Sequence, residues 1–115
     1  MSVTVRDNPD KSRFEVLLDD EVAGFIDYSI ADGRITMIHT EVDPKFNGRG
    51  LGRELVTYAL EDARRRHLGV VPVCPYVRRT IAKNPEQYLD LVPADQRARF
   101  DLPAADGDAE PAAVS

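Results

Sequence analysis

The spacing of apolar residues changes in the middle of the chain, at a segment rich in glycine. Before this segment apolar side chains recur at every second position, as in Phe14, Val16 and Leu18. After it they recur at helical spacing, as in Leu55 and Ala59. A period of two indicates strands with one buried face, and a period near 3.6 indicates an amphipathic helix. The chain is therefore restricted to folds in which helices pack on a sheet.

Turn-forming residues divide the first forty residues into four strands. The separators are Asn8-Pro9-Asp10, Asp19-Asp20-Glu21 and Ala31-Asp32-Gly33. Separators this short join neighbouring strands in hairpins, so they predict an antiparallel meander.

The second half predicts a helix, a strand and a shorter helix. The long helix follows Gly52, carries Arg64-Arg65-Arg66 in its last turn and ends at Gly69. The run Val70 to Cys74 is apolar throughout, which favours a buried strand parallel to an earlier one. A short helix at about Val77 to Lys83 and a turn around Pro85 to Leu91 follow. The predicted class is α/β, with the order ββββ-α-β-α and helices packed on a mixed sheet.

One domain accounts for most of the chain. At 115 residues the chain can bury a single core. From about Pro93 onward Ala, Asp, Pro and Gly dominate the sequence. We therefore expect a domain at 1–92 and a disordered tail at 93–115.

Composition excludes several functional classes. The net charge of −5 argues against a general nucleic-acid binder, which needs cations to neutralise phosphates. No signal peptide and no membrane span is evident, and a single Cys excludes an internal disulfide. The expected location is the cytoplasm. One Cys and two separated His residues give no zinc-ligand pattern, so no metal is expected.

The net charge hides a basic block. The segment from Lys45 to Lys83 holds nine basic and three acidic residues, a net charge of +6, which leaves −11 for the rest of the chain. Such a block is either a solvated helix face or a site that attracts a small polyanion.

The segment at the centre of this block has the composition of a phosphate-binding loop. Gly48, Gly50 and Gly52 alternate immediately before the long helix, and Arg49 and Arg53 add positive charge. Unpaired N–H groups in a first helical turn bind phosphate oxygens well. The spacing fits neither the dinucleotide fingerprint nor the P-loop. A glycine-rich turn that only connects strand to helix remains the alternative.

Three segments together resemble a known family. The loop Asn47-Gly48-Arg49-Gly50-Leu51-Gly52 is similar to the acetyl-coenzyme A loop of the GNAT superfamily of N-acetyltransferases. With His39-Thr40-Glu41-Val42 before it and Cys74-Pro75-Tyr76 after it, the chain resembles the small, single-domain members with a Cys-Pro-Tyr/Phe segment. Asn47 departs from the usual Gln or Arg.

The resemblance implies where acetyl-coenzyme A would bind. The strands that end at Val42 and at Cys74 would diverge, and the pantetheine arm would lie between them. The backbone at Val42 would hold the acetyl carbonyl. The implied cofactor-binding residues are Val42, Asn47, Gly48, Arg49, Gly50, Leu51, Gly52, Arg53 and Tyr76. Arg78, Arg79 and Lys83 are further candidates for phosphate contacts, although solvated positions on a helix are the usual role of such residues.

Cys74, His39 and Glu41 are the candidate catalytic residues. The resemblance places the thioester sulfur at the end of the strand where Cys74 lies. Cys74 could attack the thioester, donate a proton to the departing coenzyme A, or be a core residue. His39 and Glu41 share one face of a strand and could relay a proton from an amine, or could be a surface pair.

Two functions follow from the sequence. The first is an N-acetyltransferase that transfers acetyl from acetyl-coenzyme A to an unidentified acceptor, a cationic amine or a protein. The second is a non-enzymatic module with the same fold that binds coenzyme A or a protein. The sequence predicts no nucleic-acid or membrane partner, and it allows a monomer or a homodimer.

Overall fold

The computed structural model describes residues 2–46 and 48–102. The strands in this part of the chain are β1 (Val3–Asn8), β2 (Arg13–Leu18), β3 (Glu21–Ala31), β4 (Arg34–Val42) and β5 (Gly69–Pro72). The α-helices are α1 (Leu51–Arg65), α2 (Pro75–Lys83), α3 (Pro85–Tyr88) and α4 (Ala94–Arg97). Single 3-10 turns lie at Pro9–Lys11, Pro44–Phe46, Leu89–Leu91 and Ala98–Phe100.

The sheet confirms the predicted class and strand order. Its strands lie in the order β1-β2-β3-β4-β5, the first four antiparallel to their neighbours and β5 parallel to β4. Asp32 and Gly33, in the turn between β3 and β4, both have positive φ, 55° and 75°. Positive φ at both central residues gives a two-residue turn the twist of the strands it joins, which fixes this register.

Helix α1 supplies the second layer of the core. Leu55, Val56, Ala59 and Leu60 are fully buried, and the helix contacts every strand of the sheet. Each large apolar side chain buried in this way contributes about 2 kcal/mol to folding. None of the described helices is long and apolar enough to cross a membrane.

Helix α1 ends earlier than Gly69, where the sequence places its end. His67 adopts a left-handed conformation with φ 58°, and the N–H of Leu68 donates to the carbonyl of Ala63 at 2.9 Å. This is the hydrogen bond of a Schellman cap, with histidine where glycine is usual. Gly69 instead allows the ring of Pro93 to pack closely against the backbone, because a Cβ at this position would lie only 2.9 Å from Cγ of Pro93.

The predicted tail starts too early. Residues 93–102 pack on the domain, with Phe100 and Leu102 buried in the core. The side chain of Arg34 on β4 forms a bidentate ion pair with Asp95. The compositional change at Pro93 is real, but two apolar side chains and one ion pair are enough to hold this segment on the domain. The rest of the predicted tail, 103–115, lies outside the described residues.

Candidate functional site

The first component of the site is a gap between β4 and β5. The two strands pair only from Arg34 opposite Gly69 to Met37 opposite Pro72, followed by a hydrogen bond from the N–H of Cys74 to the carbonyl of Met37 at 2.8 Å. Strand β4 continues to Val42 and pairs there with β3 alone, as far as the described residues show. The strands therefore diverge after Met37, as the resemblance implies.

The second component is the glycine-rich loop and the first turn of α1. Gly48 and Gly50 have φ of 83° and 71°, and no atom lies within 4 Å of a Cβ built at either position. Gly50 is the N-cap of α1, and no side chain of the described residues forms a capping hydrogen bond with this helix. The N–H groups of the first turn consequently lack partners inside the helix. They are available to an anion, which is the property that the sequence predicts for this loop.

Two cavities meet at Tyr76. One, of about 210 Å³, lies against the loop, and the other, of about 360 Å³, lies against α2. Gly52 lets the two helices approach closely, because a Cβ there would lie 2.9 Å from Oη of Tyr76. The first cavity is lined by Val42, Phe46, Gly48, Gly50, Leu51, Gly52 and Tyr76. The second is lined by Arg53, Tyr76, Arg79, Thr80, Lys83 and Asn84.

The second cavity is cationic. Arg53, Arg79 and Lys83 line it, and no Asp or Glu is among its described lining residues. Arg78 lies elsewhere, with its guanidinium 5.5 Å from the ring centroid of Phe100. Of the three arginine and lysine candidates on α2, the fold thus brings Arg79 and Lys83 to the site. Asn47 lies outside the described residues, and Leu51 is buried, so Leu51 offers only its backbone.

Much of the basic block is used in structural ion pairs. Arg64 pairs with Asp90, and this contact raises the pKa of the guanidinium and lowers that of the carboxyl. Arg66 pairs with both Asp7 and Asp62. The net charge of the segment therefore overstates what a polyanion would meet, because only part of it lines the cavities at the loop.

Cys74 lies at the end of the gap. Its side chain is 2% exposed, and its Sγ lies 3.1 Å from Oγ1 of Thr40, with either group able to donate a hydrogen bond. Cys74 is the N-cap of α2, whose first helical residue is Pro75. The structure thus places the thiol where the sequence expects it, at the point from which β4 and β5 diverge.

His39 and Glu41 do not meet Cys74. Nε2 of His39 lies 3.2 Å from Oε1 of Glu41, and both side chains are more than half exposed. Alternation along β4 puts them on the face opposite Thr40. Sequence reasoning missed Thr40, although its position between these two residues was the available signal.

The face of β4 that carries His39 and Glu41 is exposed, and His39 there belongs to a cluster of aromatic and cationic side chains. The ring of His39 meets that of Phe25 edge to face at 6.3 Å, and the guanidinium of Arg13 lies 4.8 Å from the centroid of Phe25. Beside them is a cavity of about 300 Å³ whose lining includes Phe25, Glu41 and Asp43. This cluster therefore lies on the face of β4 opposite the contact between Thr40 and Cys74.

No three or more described His, Cys, Asp and Glu residues are grouped so as to hold a metal ion.

A family model described as GCN5-related N-acetyl-transferase matches residues 13–91. The chain is similar in structure to a GCN5-like protein from Staphylococcus aureus solved by NMR, with a TM-score of 0.60, 22% identity, and coverage of 81% of this chain and 91% of that one. This likeness concerns the fold. No curated protein sequence matches the chain.

Two further structures match over shorter stretches. One is the ribosomal-protein-S18-alanine N-acetyltransferase of Escherichia coli, with a TM-score of 0.48, 22% identity and coverage of 50% of this chain. The other is the PaiA N-acetyltransferase of Thermoplasma acidophilum in complex with coenzyme A, with a TM-score of 0.45, 16% identity and coverage of 49%. The matches span 38% and 35% of the lengths of those two proteins.

Proposed function

The chain belongs to the family of GCN5-related N-acetyltransferases, and on that premise we propose that it transfers acetyl from acetyl-coenzyme A to an amine acceptor. The observation that carries the proposal is the first turn of α1, which no described side chain caps and which opens beside the gap between β4 and β5. Backbone N–H groups from Gly50 to Arg53 would bind the pyrophosphate. The gap would hold the pantetheine arm, with the backbone of Val42 next to the acetyl carbonyl.

The cationic cavity supports the same ligand. A nucleotide that carries a further phosphate needs positive charge beyond the helix N-terminus, and Arg53, Arg79 and Lys83 supply it. Tyr76 lines both cavities and would contact the ligand between the two groups of phosphates. A Cβ at Gly48 or Gly50 would occupy open space, so the loop has room for a ligand close to its backbone.

Cys74 has two roles that fit its position. In a two-step route its sulfur bonds to the acetyl carbon, the bond to the coenzyme A sulfur breaks, and the amine then displaces the Cys74 sulfur. In a direct route the amine attacks the thioester, and the thiol of Cys74 gives its proton to the departing sulfur. Thr40 is the hydrogen-bonding neighbour of the thiol in both routes.

Isothermal titration with coenzyme A tests the binding site. We expect the Arg79→Gln and Lys83→Gln variants each to bind about three- to tenfold more weakly than the native chain, because each loses one phosphate contact. Lys11→Gln is the matched control, since Lys11 is an exposed cation on a 3-10 turn and lines none of these cavities. Absence of heat and of thermal stabilisation at millimolar coenzyme A would remove the basis of the proposal.

A binding module without turnover is the second candidate. The near-complete burial of Cys74 favours it, because a buried thiol has limited access to a thioester. Intact mass after incubation with acetyl-coenzyme A, with and without a panel of amines, separates the two functions. Acetylated protein or acetylated amine supports the enzyme, and tight binding with neither product supports the module.

A further inference from the structure

A further cavity lies away from the glycine-rich loop. It measures about 700 Å³ and separates the C-terminal half of α1 from the segment 85–97. It shares no lining residue with the two cavities that meet at Tyr76. The side chains that carry the argument are Glu61, Arg64, Glu86, Asp90 and Arg97.

Arg97 is a buried cation in the wall of this cavity. It is 9% exposed, and its Nε and Nη2 donate to the carbonyls of Val92 and Leu89, both at 3.0 Å. No carboxylate of a described residue forms an ion pair with it. Buried arginines are normally paired with an anion. The nearby carboxylate is that of Asp90, whose pKa is lowered chiefly by its hydrogen bond from Arg64 and also by the charge of Arg97, but its two oxygens are engaged by Arg64.

The third nitrogen of the Arg97 guanidinium is not engaged by the described part of the chain. Nη1 has no hydrogen-bond partner among the described residues. Nη1 is not among the fully buried side-chain atoms of the described residues that lack a hydrogen bond, so at least a small part of its surface is exposed. Arg97 lines the cavity, and the two N–H donors of Nη1 are the donors of its guanidinium that the described chain does not use.

The other charged groups of the cavity are one further cation, Arg64, and three carboxylates. Asp90 and Arg64 satisfy each other in a bidentate pair, and Arg64 also donates to the carbonyl of Gln87. Glu61 and Glu86 have no ion-pair or hydrogen-bond partner in the described chain. An isolated anion would be attracted by Arg97 and repelled by these two carboxylates, whereas a ligand that also carries a cation would satisfy both.

We propose that this cavity binds a carboxylate that also carries a cationic side chain, the chemistry of a basic amino acid or of a basic residue at the C-terminus of a peptide. The carboxylate accepts hydrogen bonds from Nη1 of Arg97, and the cationic group lies against Glu61 and Glu86. The volume of about 700 Å³ is within the range of small-molecule sites and exceeds the needs of one amino acid. This site lies outside the proposed acetyl-transfer site.

L-Lysine is the probe for the first experiment. Titration of the full chain, followed in ¹H–¹⁵N spectra, is expected to shift the amide signals of residues 61–64 and 85–97. Norleucine lacks the side-chain ammonium, and L-lysinamide lacks the carboxylate, so each is expected to bind at least about fivefold more weakly than L-lysine. Equal binding of L-lysinamide would overturn the role of Arg97, as would shifts confined to other parts of the chain.

Charge-neutral variants test the same contacts from the side of the protein. Glu61→Gln and Glu86→Gln change side chains that have no internal partner, so both variants are expected to fold and to bind L-lysine about threefold or more weakly. Glu54→Gln is the matched control on α1, outside the cavity. Arg97→Lys keeps the charge while changing the geometry, and far-ultraviolet circular dichroism establishes whether it folds. Unchanged affinity in both glutamate variants would overturn the proposal.

Two tripeptides distinguish the sources of the ligand. Ala-Ala-Lys with a free carboxylate is compared with its C-terminal amide. Tighter binding of the free peptide than of L-lysine identifies a peptide terminus as the ligand, and the reverse order identifies a free amino acid. Binding of neither peptide nor of L-lysine overturns the proposal.

Discussion

The sulfur of Cys74 lies 3.1 Å from the hydroxyl oxygen of Thr40, at the point where β4 and β5 diverge. His39 and Glu41 flank Thr40 in sequence but lie on the other face of β4, where they pair with each other. A proton therefore cannot pass directly from this pair to the thiol. The hydroxyl of Thr40, not the imidazole of His39, is the group in contact with Cys74.

Cys74→Ala should separate chemistry from binding. We expect roughly a hundredfold or greater loss of acetyl transfer, because the variant has neither nucleophile nor proton donor at that point. Coenzyme A affinity should change less than about threefold, since the phosphates contact other residues. Steady-state rates and isothermal titration measure the two effects. Full turnover in the variant would make Cys74 a core residue.

Thr40→Val tests the contact between the hydroxyl and the thiol. The substitution keeps the shape of the side chain and removes its oxygen, so we expect a partial loss of transfer, about tenfold, with coenzyme A affinity unchanged. Steady-state rates and isothermal titration measure the two quantities. A variant with the native rate would show that the contact has no catalytic role.

His39→Gln should lower the rate for acceptor amines without affecting coenzyme A binding. The ring is exposed on the open face of β4, so the variant should change the free energy of unfolding by less than about 0.5 kcal/mol. The expected loss of kcat/KM at neutral pH is at least about tenfold, and it should be smaller at pH 9, where more amine is deprotonated. Glu21→Gln, which removes an exposed ion pair with Lys45, is the control.

Gly50→Ala and Gly33→Ala form a matched pair. Both glycines have positive φ and open space around a Cβ, so each substitution should destabilise the fold by about 1–2 kcal/mol. Gly50 lies at the coenzyme loop, whereas Gly33 lies in the hairpin between β3 and β4. We therefore expect only Gly50→Ala to weaken coenzyme A binding as well, and urea unfolding with titration measures both quantities. Equal affinities for the two variants would argue against a ligand at the loop.

Glu15 should make stability depend on pH in the acid range. Its side chain is 2% exposed; burial raises its pKa, but hydrogen bonds from Arg6, Arg13 and Asn8 together hold that pKa below the usual value. The stabilisation is therefore complete above the unfolded pKa of about 4.3 and is lost as the pH falls through the lower, folded value. Glu15→Gln should cost about 2 kcal/mol at pH 7. The difference between native and variant should shrink towards pH 2, and a difference independent of pH would contradict the assignment.

Local sequence patterns predicted the elements better than their ends. The change of apolar period gave the four strands, the long helix and the buried strand, because residues close in sequence specify them. The sequence places the end of α1 at Gly69, whereas the helix ends at Arg65, because His67 adopts the left-handed conformation that glycine usually takes at a helix end. The tail was placed too early because the packing of Phe100 and Leu102 depends on a surface formed by distant residues.

The sequence by itself determined the class of fold and the position of the loop, since turn chemistry and apolar spacing act over a few residues. Only the tertiary structure decided which charges and side chains meet. The contact of Cys74 with Thr40 spans 34 positions, and it depends on the register of β4 and on the point where β5 ends. The burial of the Arg97 guanidinium against the carbonyls of Val92 and Leu89 likewise follows from how the segment after α2 folds back on the domain. Such contacts arise from packing between elements, which no local pattern in the chain records.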